Sequence, residues 1–107
     1  MINSDCSLKL ADFGLARVFH DGLDHTSLAI TEYVTTRWYR APEILGGWTH
    51  YGKAIDLWAV GCIIGELFRR TPLFPGGDSL KQLELLLTYL GRPEESFTIK
   101  CKKSSKR

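Results

Sequence analysis

The sequence predicts a mainly α-helical fold with a short β-hairpin remnant at its N-terminus. Three observations carry that expectation. The segment from Lys53 to Arg70, containing AIDLWAVGCIIGELF, has a helical pattern and is apolar on most sides. The segment SLKQLELLLTYLG sets Leu80, Leu83, Leu87 and Leu90 on one helical face. Only SLKLA, with Leu8 and Leu10 on one side, alternates as a strand does.

Taken in order, MIN reads as the stub of a strand, NSD as a turn, and SLKLA as its half-buried partner. DFGLAR follows directly. Residues 17–36 are polar, lack a period and centre on HDGLDHTS, which makes a loop of about twenty residues; loops of that length are functional or disordered. The 53–70 helix, apolar nearly all round, is of the kind normally buried in a larger core, and Asp56 inside it calls for a specific partner. TPLFPGGD breaks the pattern. In the next helix Ser79 and Gln82 have capping-box spacing, Gly91 suits the C-terminal stop, and Pro93 prevents continuation. TIKCKKSSKR is basic and aperiodic. Residues 1–97 are therefore expected to form one partial domain and 98–107 a disordered tail.

The bulk properties exclude several classes. A net charge of +2 is too small to argue for a nucleic-acid or membrane partner. The longest apolar region carries Asp56 and Glu66 and is too short to span a bilayer. Cys6, Cys62 and Cys101 form no CxxC pair, so a reducing intracellular setting is expected. His20, His25 and His50 share no metal-ligand spacing. The N-terminus has no basic region followed by an apolar run, so it does not read as a signal peptide. The tryptophans, Trp58 above all, are expected to pack rather than to stack on a ligand.

The chemistry lies in the middle. In DFG, at 12–14, an Asp at a strand end is followed by a Gly that permits a sharp turn, so Asp12 can point at a hard cation. DFG and APE, at 41–43, bracket a loop holding Thr31 and Tyr33. With DFGLAR, TEYVTTRWYRAPEIL, DLWAVGCIIGEL and PLFPGGDSLKQL in that order, residues 1–97 resemble part of the C-terminal lobe of a mitogen-activated protein kinase. The Thr-Glu-Tyr triplet resembles the extracellular-signal-regulated class. Cyclin-dependent kinases share WYRAPE but lack the paired Thr-x-Tyr, and are the alternative subfamily.

The charges around that triplet have a physical logic. Two phosphates would add roughly −3 to −4 to the loop at neutral pH. Arg37 and Arg40 follow Tyr33 closely and can clamp such charge in bidentate geometry.

The resemblance implies the rest, position by position. Thr31 and Tyr33 are the phosphorylation sites, with Arg37 and Arg40 holding the phosphotyrosine and Arg17 helping to hold the phosphothreonine. Asp12 is the magnesium ligand. Val34, Thr36, Trp38 and Tyr39 shape the substrate pocket, which accepts proline after the phosphoacceptor. Thr36 matches a hydroxyl that bonds the catalytic base and its neighbouring lysine. Glu43 is an anchor that pairs with an arginine, and Asp56 an anchor that accepts backbone N–H groups of the catalytic loop. ATP and Mg2+ are the implied cofactors. The implied partners are an upstream dual-specificity kinase, phosphatases and protein substrates with Ser/Thr-Pro sites, and the implied location is cytoplasmic and nuclear.

The sequence also departs from that pattern. Neither HRD nor GxGxxG occurs, and no catalytic residue is assigned within these residues, the base lying upstream in the family. Ser79 and Gly46 stand where similar enzymes often carry larger apolar residues of a docking pocket. Ala11 precedes DFG where some relatives have a cysteine. The expectation is a kinase fragment, inert on its own; the alternatives are a non-catalytic decoy or interaction module and an incomplete gene product.

Overall fold

The structure, a computed structural model, describes residues 1–16, 36–48 and 52–104. Among these, four α-helices carry the fold: α1 (Pro42–Leu45), α2 (Ala54–Arg69), α3 (Ser79–Leu90) and α4 (Glu95–Ser104). Two 3-10 turns, Phe13–Leu15 and Arg37–Tyr39, complete the order.

The hairpin remnant survives as an isolated antiparallel bridge between Ile2 and Leu8. Lys9 donates its backbone N–H to the Met1 carbonyl at 2.9 Å, and Asn3 donates to the Ser7 carbonyl at 3.0 Å. Its turn places Cys6 at φ 63, with Asp5 Oδ1 accepting the Ser7 backbone N–H at 2.9 Å. Hydrogen bonds from Ser7 hold the Asp5 carboxyl below its ordinary pKa. The half-buried face expected of SLKLA is not formed among the described residues: Leu8 and Leu10 are both exposed. The turn at DFG also differs from expectation. Asp12 takes the left-handed conformation (φ 66, ψ 64), while Gly14 sits within the 3-10 turn without a positive φ. Asp tolerates that region better than most residues.

Helix α2 has Asp56 in its first turn and Arg69 in its last, both complementary to the helix dipole. It stops at Arg70, left-handed at φ 62, whose N–H donates to the Glu66 carbonyl at 2.7 Å. Cys62 is buried in a small core with Phe74 and Leu86, and Tyr39, Leu45, Trp58, Leu73 and Leu85 pack around them. Trp58 stacks on Phe74 at 6.4 Å between ring centroids, and Phe74 meets Tyr89 edge-on at 5.8 Å. The rest of the helix surface is uncovered. Leu57, Val60, Ile63, Ile64, Leu67 and Phe68 are all exposed, so this helix is buried on one side only among the described residues. Asp56 is exposed as well. Among the described residues its carboxylate is thus not in the buried setting that the apolar pattern suggests.

Helix α3 corrects two expectations. Its N-cap is Asp78, not Ser79: Asp78 Oδ1 accepts the Lys81 backbone N–H at 2.7 Å. A carboxylate one position earlier takes the Lys81 N–H, and the Gln82 N–H that a Ser79 cap would take donates instead to the Asp78 carbonyl at 2.9 Å. The inward face is also different. Gln82 and Leu86 are buried, whereas Leu80, Leu87 and Leu90 are exposed. The leucines run round much of the helix, so spacing leaves two faces open, and the buried hydrogen bonds of Gln82 choose between them. Gly91 ends the helix as expected, at φ 82, its N–H donating to the Leu87 carbonyl at 3.0 Å.

The tail expected to be disordered from residue 98 is helical through Ser104. Glu95 stands in the first turn of α4, where the helix dipole favours a carboxylate. Phe97 on this helix packs its ring 4.9 Å from that of Trp48. No helix among the described residues is long and apolar enough to cross a membrane.

Candidate functional site

Residues 36–43 form the centre of the site. Thr36 precedes the 3-10 turn, Arg37–Tyr39 form it, and Pro42 at the first position of α1 starts the helix that follows. The turn packs against both α2 and α3, and α1 packs against α3.

Four hydrogen bonds tie together the turn, a glycine pair in the 74–78 connection and α3. The Trp38 indole Nε1–H donates to the Gly76 carbonyl at 3.0 Å. Gln82 Nε2 donates to the Trp38 carbonyl at 3.3 Å, and Gln82 Oε1 accepts the Gly76 N–H at 2.9 Å. Arg37 Nη1 donates to the Gly77 carbonyl at 2.9 Å. Gly76 is required by proximity, because a Cβ there would lie 2.6 Å from the Gln82 backbone. Gln82 itself is 0% exposed, so both ends of its carboxamide need the partners they have.

Tyr39 points the other way. Its hydroxyl donates to Glu66 Oε2 on α2 at 2.6 Å, and this bond to a carboxylate raises the phenol above its ordinary pKa. Arg40 is half-buried, and its backbone N–H donates to the Arg37 carbonyl at 3.1 Å. Thr36 is exposed. Glu43 lies in the first turn of α1, where the helix dipole favours a carboxylate.

Arg37, Trp38, Tyr39 and Arg40 are thus brought together, with Thr36 at their edge. Arg17, Thr31, Tyr33 and Val34 lie outside the described residues, as do His20, His25 and His50. Asp12 is exposed, and no group of three or more His, Cys, Asp or Glu able to hold a metal occurs among the described residues. Magnesium takes carboxylates together with phosphate and water oxygens in near-octahedral array. Asp12 alone does not make that site.

Sequence reasoning assigns Gln82 to a cap and misses its place beneath the site. A signal for it exists: an amide facing the apolar side of a helix must find partners, the same rule that singles out Asp56.

The chain matches the protein kinase domain over residues 1–106. It belongs to the protein kinase domain family. Its curated relatives include mitogen-activated protein kinases of several organisms. Mitogen-activated protein kinase MKC1 of Candida albicans is 54% identical over 96 residues, covering 90% of this chain and 19% of that protein. Mitogen-activated protein kinase 14 of Xenopus laevis is 52% identical over 93 residues, covering 87% of this chain and 24% of that protein. Mitogen-activated protein kinase p38a of Drosophila melanogaster is 47% identical over 106 residues, covering 99% and 27%. The chain therefore spans about a fifth to a quarter of the length of these relatives. The mostly helical structure, with a single isolated bridge in place of strands among the described residues, agrees with a partial kinase-like fold.

Proposed function

We propose that these residues are the activation segment and substrate-pocket portion of a serine/threonine kinase of the mitogen-activated class. In this reading the kinase uses ATP and Mg2+ to phosphorylate Ser/Thr-Pro sites, and it is switched on by phosphorylation of Thr31 and Tyr33. The Thr-Glu-Tyr triplet favours the extracellular-signal-regulated type within that class. One observation supports this most: the segment holding Arg37 and Arg40 is bonded to two helices, so guanidiniums that follow the two hydroxyls are held by a scaffold rather than left on a free loop.

The roles follow from chemistry. Arg37 and Arg40 take the phosphotyrosine, and Arg17 contributes to the phosphothreonine, each by charge-assisted hydrogen bonds. Val34, Thr36, Trp38 and Tyr39 line the pocket for the residue after the phosphoacceptor. Asp12 contributes one carboxylate to a magnesium site completed by groups beyond these residues. An upstream dual-specificity kinase and phosphatases act on the loop, and the setting is cytoplasmic and nuclear, a location that rests on family resemblance and is read by imaging a tagged chain.

Two measurements test this. The 107-residue chain, offered to an active dual-specificity kinase, is expected to gain two phosphates, one lost in Thr31→Ala and the other in Tyr33→Phe. Failure to label either position overturns the activation reading. The same chain with ATP, Mg2+ and a Ser-Pro peptide is expected to transfer no phosphate above an Asp12→Ala control, because phosphoryl transfer depends on positioning by groups that its sequence lacks.

A further inference from the structure

The closed loop of bonds around Gln82 does more than fill the core. A guanidinium is planar, so fixing one nitrogen on a carbonyl restricts the plane of its fork. Arg37 Nη1 is fixed on the Gly77 carbonyl. The position of that carbonyl depends on its neighbour Gly76, and Gly76 is held at both ends: its N–H by Gln82 Oε1 and its carbonyl by the Trp38 indole. Gln82 Nε2 then closes the ring on the Trp38 carbonyl, one residue from Arg37. One buried carboxamide thus bridges the segment that carries the arginine and the connection that orients it.

A second feature concerns Arg37 itself. Its Nε is buried without a hydrogen-bond partner. A buried, unpaired donor on a charged group is costly, and an anion at the fork removes that cost. Were Gln82 mere packing, an apolar side chain would serve at this point in the core, and neither Gly76 nor the Trp38 carbonyl would need to meet it.

We propose that Gln82 is a positioning residue that holds the Arg37 guanidinium ready for an aryl phosphate. This rests on the reading of Arg37 as a phosphate-clamping residue. Gln82 touches no phosphate; it acts through the glycine pair and Trp38.

The test uses the 107-residue chain and phenyl phosphate, with the Arg37 Nε–H resonance and the aryl signals followed by NMR. Arg37→Ala is expected to abolish the interaction. Gln82→Met, which keeps bulk but removes both side-chain hydrogen bonds, is expected to weaken it about tenfold. The Gln82→Met/Arg37→Ala double variant is expected to be no weaker than Arg37→Ala, whereas Gln82→Met and Arg40→Ala are expected to multiply. If Gln82→Met does not fold, Trp38→Phe breaks the same ring at the indole and is expected to weaken binding about threefold. Unaltered binding in Arg37→Ala overturns the clamp reading and the proposal with it. Loss in Arg37→Ala with unaltered binding in Gln82→Met, or in Trp38→Phe where that variant replaces it, overturns the positioning role alone. Weakening by Gln82→Met that persists when Arg37 is already absent marks a general structural effect and also overturns it.

Discussion

Tyr39 and Glu66 are 27 positions apart, and their 2.6 Å bond ties the arginine-bearing turn to α2. A hydrogen bond to a carboxylate at a half-buried site contributes more than a neutral one, so Tyr39→Phe is expected to destabilise the chain by about 1–2 kcal/mol in denaturant titration. The bond also sets a pH dependence. The folded-state pKa of Tyr39 is raised above its ordinary 10.0, so the protonated phenol is favoured in the folded chain. Its stabilisation is fully present below pH 10.0 and is lost as the pH rises through the higher folded value. The difference between the original chain and Tyr39→Phe should therefore shrink above that pH. Cys62 shows the same kind of control by environment. Burial raises its thiol pKa, whereas Cys6 is exposed. Iodoacetamide at neutral pH is expected to alkylate Cys6 in the folded chain and Cys62 only after denaturation, read by peptide mass.

At the scale of elements, α3 separates what pattern can reveal from what it cannot. Its existence and its glycine stop are legible in SLKQLELLLTYLG. Its inward face is not, because leucines lie on more than one side. The choice falls to Gln82, whose amide meets the Trp38 carbonyl 44 positions away, far beyond any local window. The cap falls one residue earlier than the pattern suggests because the Asp78 side chain takes the Lys81 N–H while its carbonyl takes the Gln82 N–H that a Ser79 cap would need. Asp78→Ala is expected to cost about 1 kcal/mol by thermal or chemical unfolding, and Ser79→Ala much less. The helix 54–69 is legible for the same reason that its surroundings are not: periodicity reports an apolar surface without saying what covers it. The candidate site is legible as an ordered string of motifs, while the glycine-glutamine ring beneath it depends on contacts between distant segments. Glycines sharpen the contrast. Gly76→Ala drives a Cβ into the Gln82 backbone and is expected to destabilise by about 3 kcal/mol. Gly61→Ala, inside α2 with nothing within 4 Å of the added carbon, is expected to stabilise by about 0.5–1 kcal/mol.

For the molecule as a whole, the balance is set by how little is enclosed. The core centres on Cys62, Phe74 and Leu86, with Trp58 packed against it, while Leu57, Val60, Ile63, Ile64, Leu67 and Phe68 of α2 are exposed. Leaving them in water forgoes on the order of 5–10 kcal/mol, comparable to the entire stability of a typical domain. The radius of gyration is 15.3 Å, against about 13 Å for a compact chain of this length. The 107-residue chain is accordingly expected to bind 8-anilinonaphthalene sulfonate under native conditions, with fluorescence reduced by Leu57→Ser/Phe68→Ser substitution on the uncovered face. Inside a cell, such a greasy flank is what chaperones and quality-control proteases survey. The bare side of α2 would thus set how briefly these residues persist by themselves, making their abundance a matter of turnover as much as of synthesis.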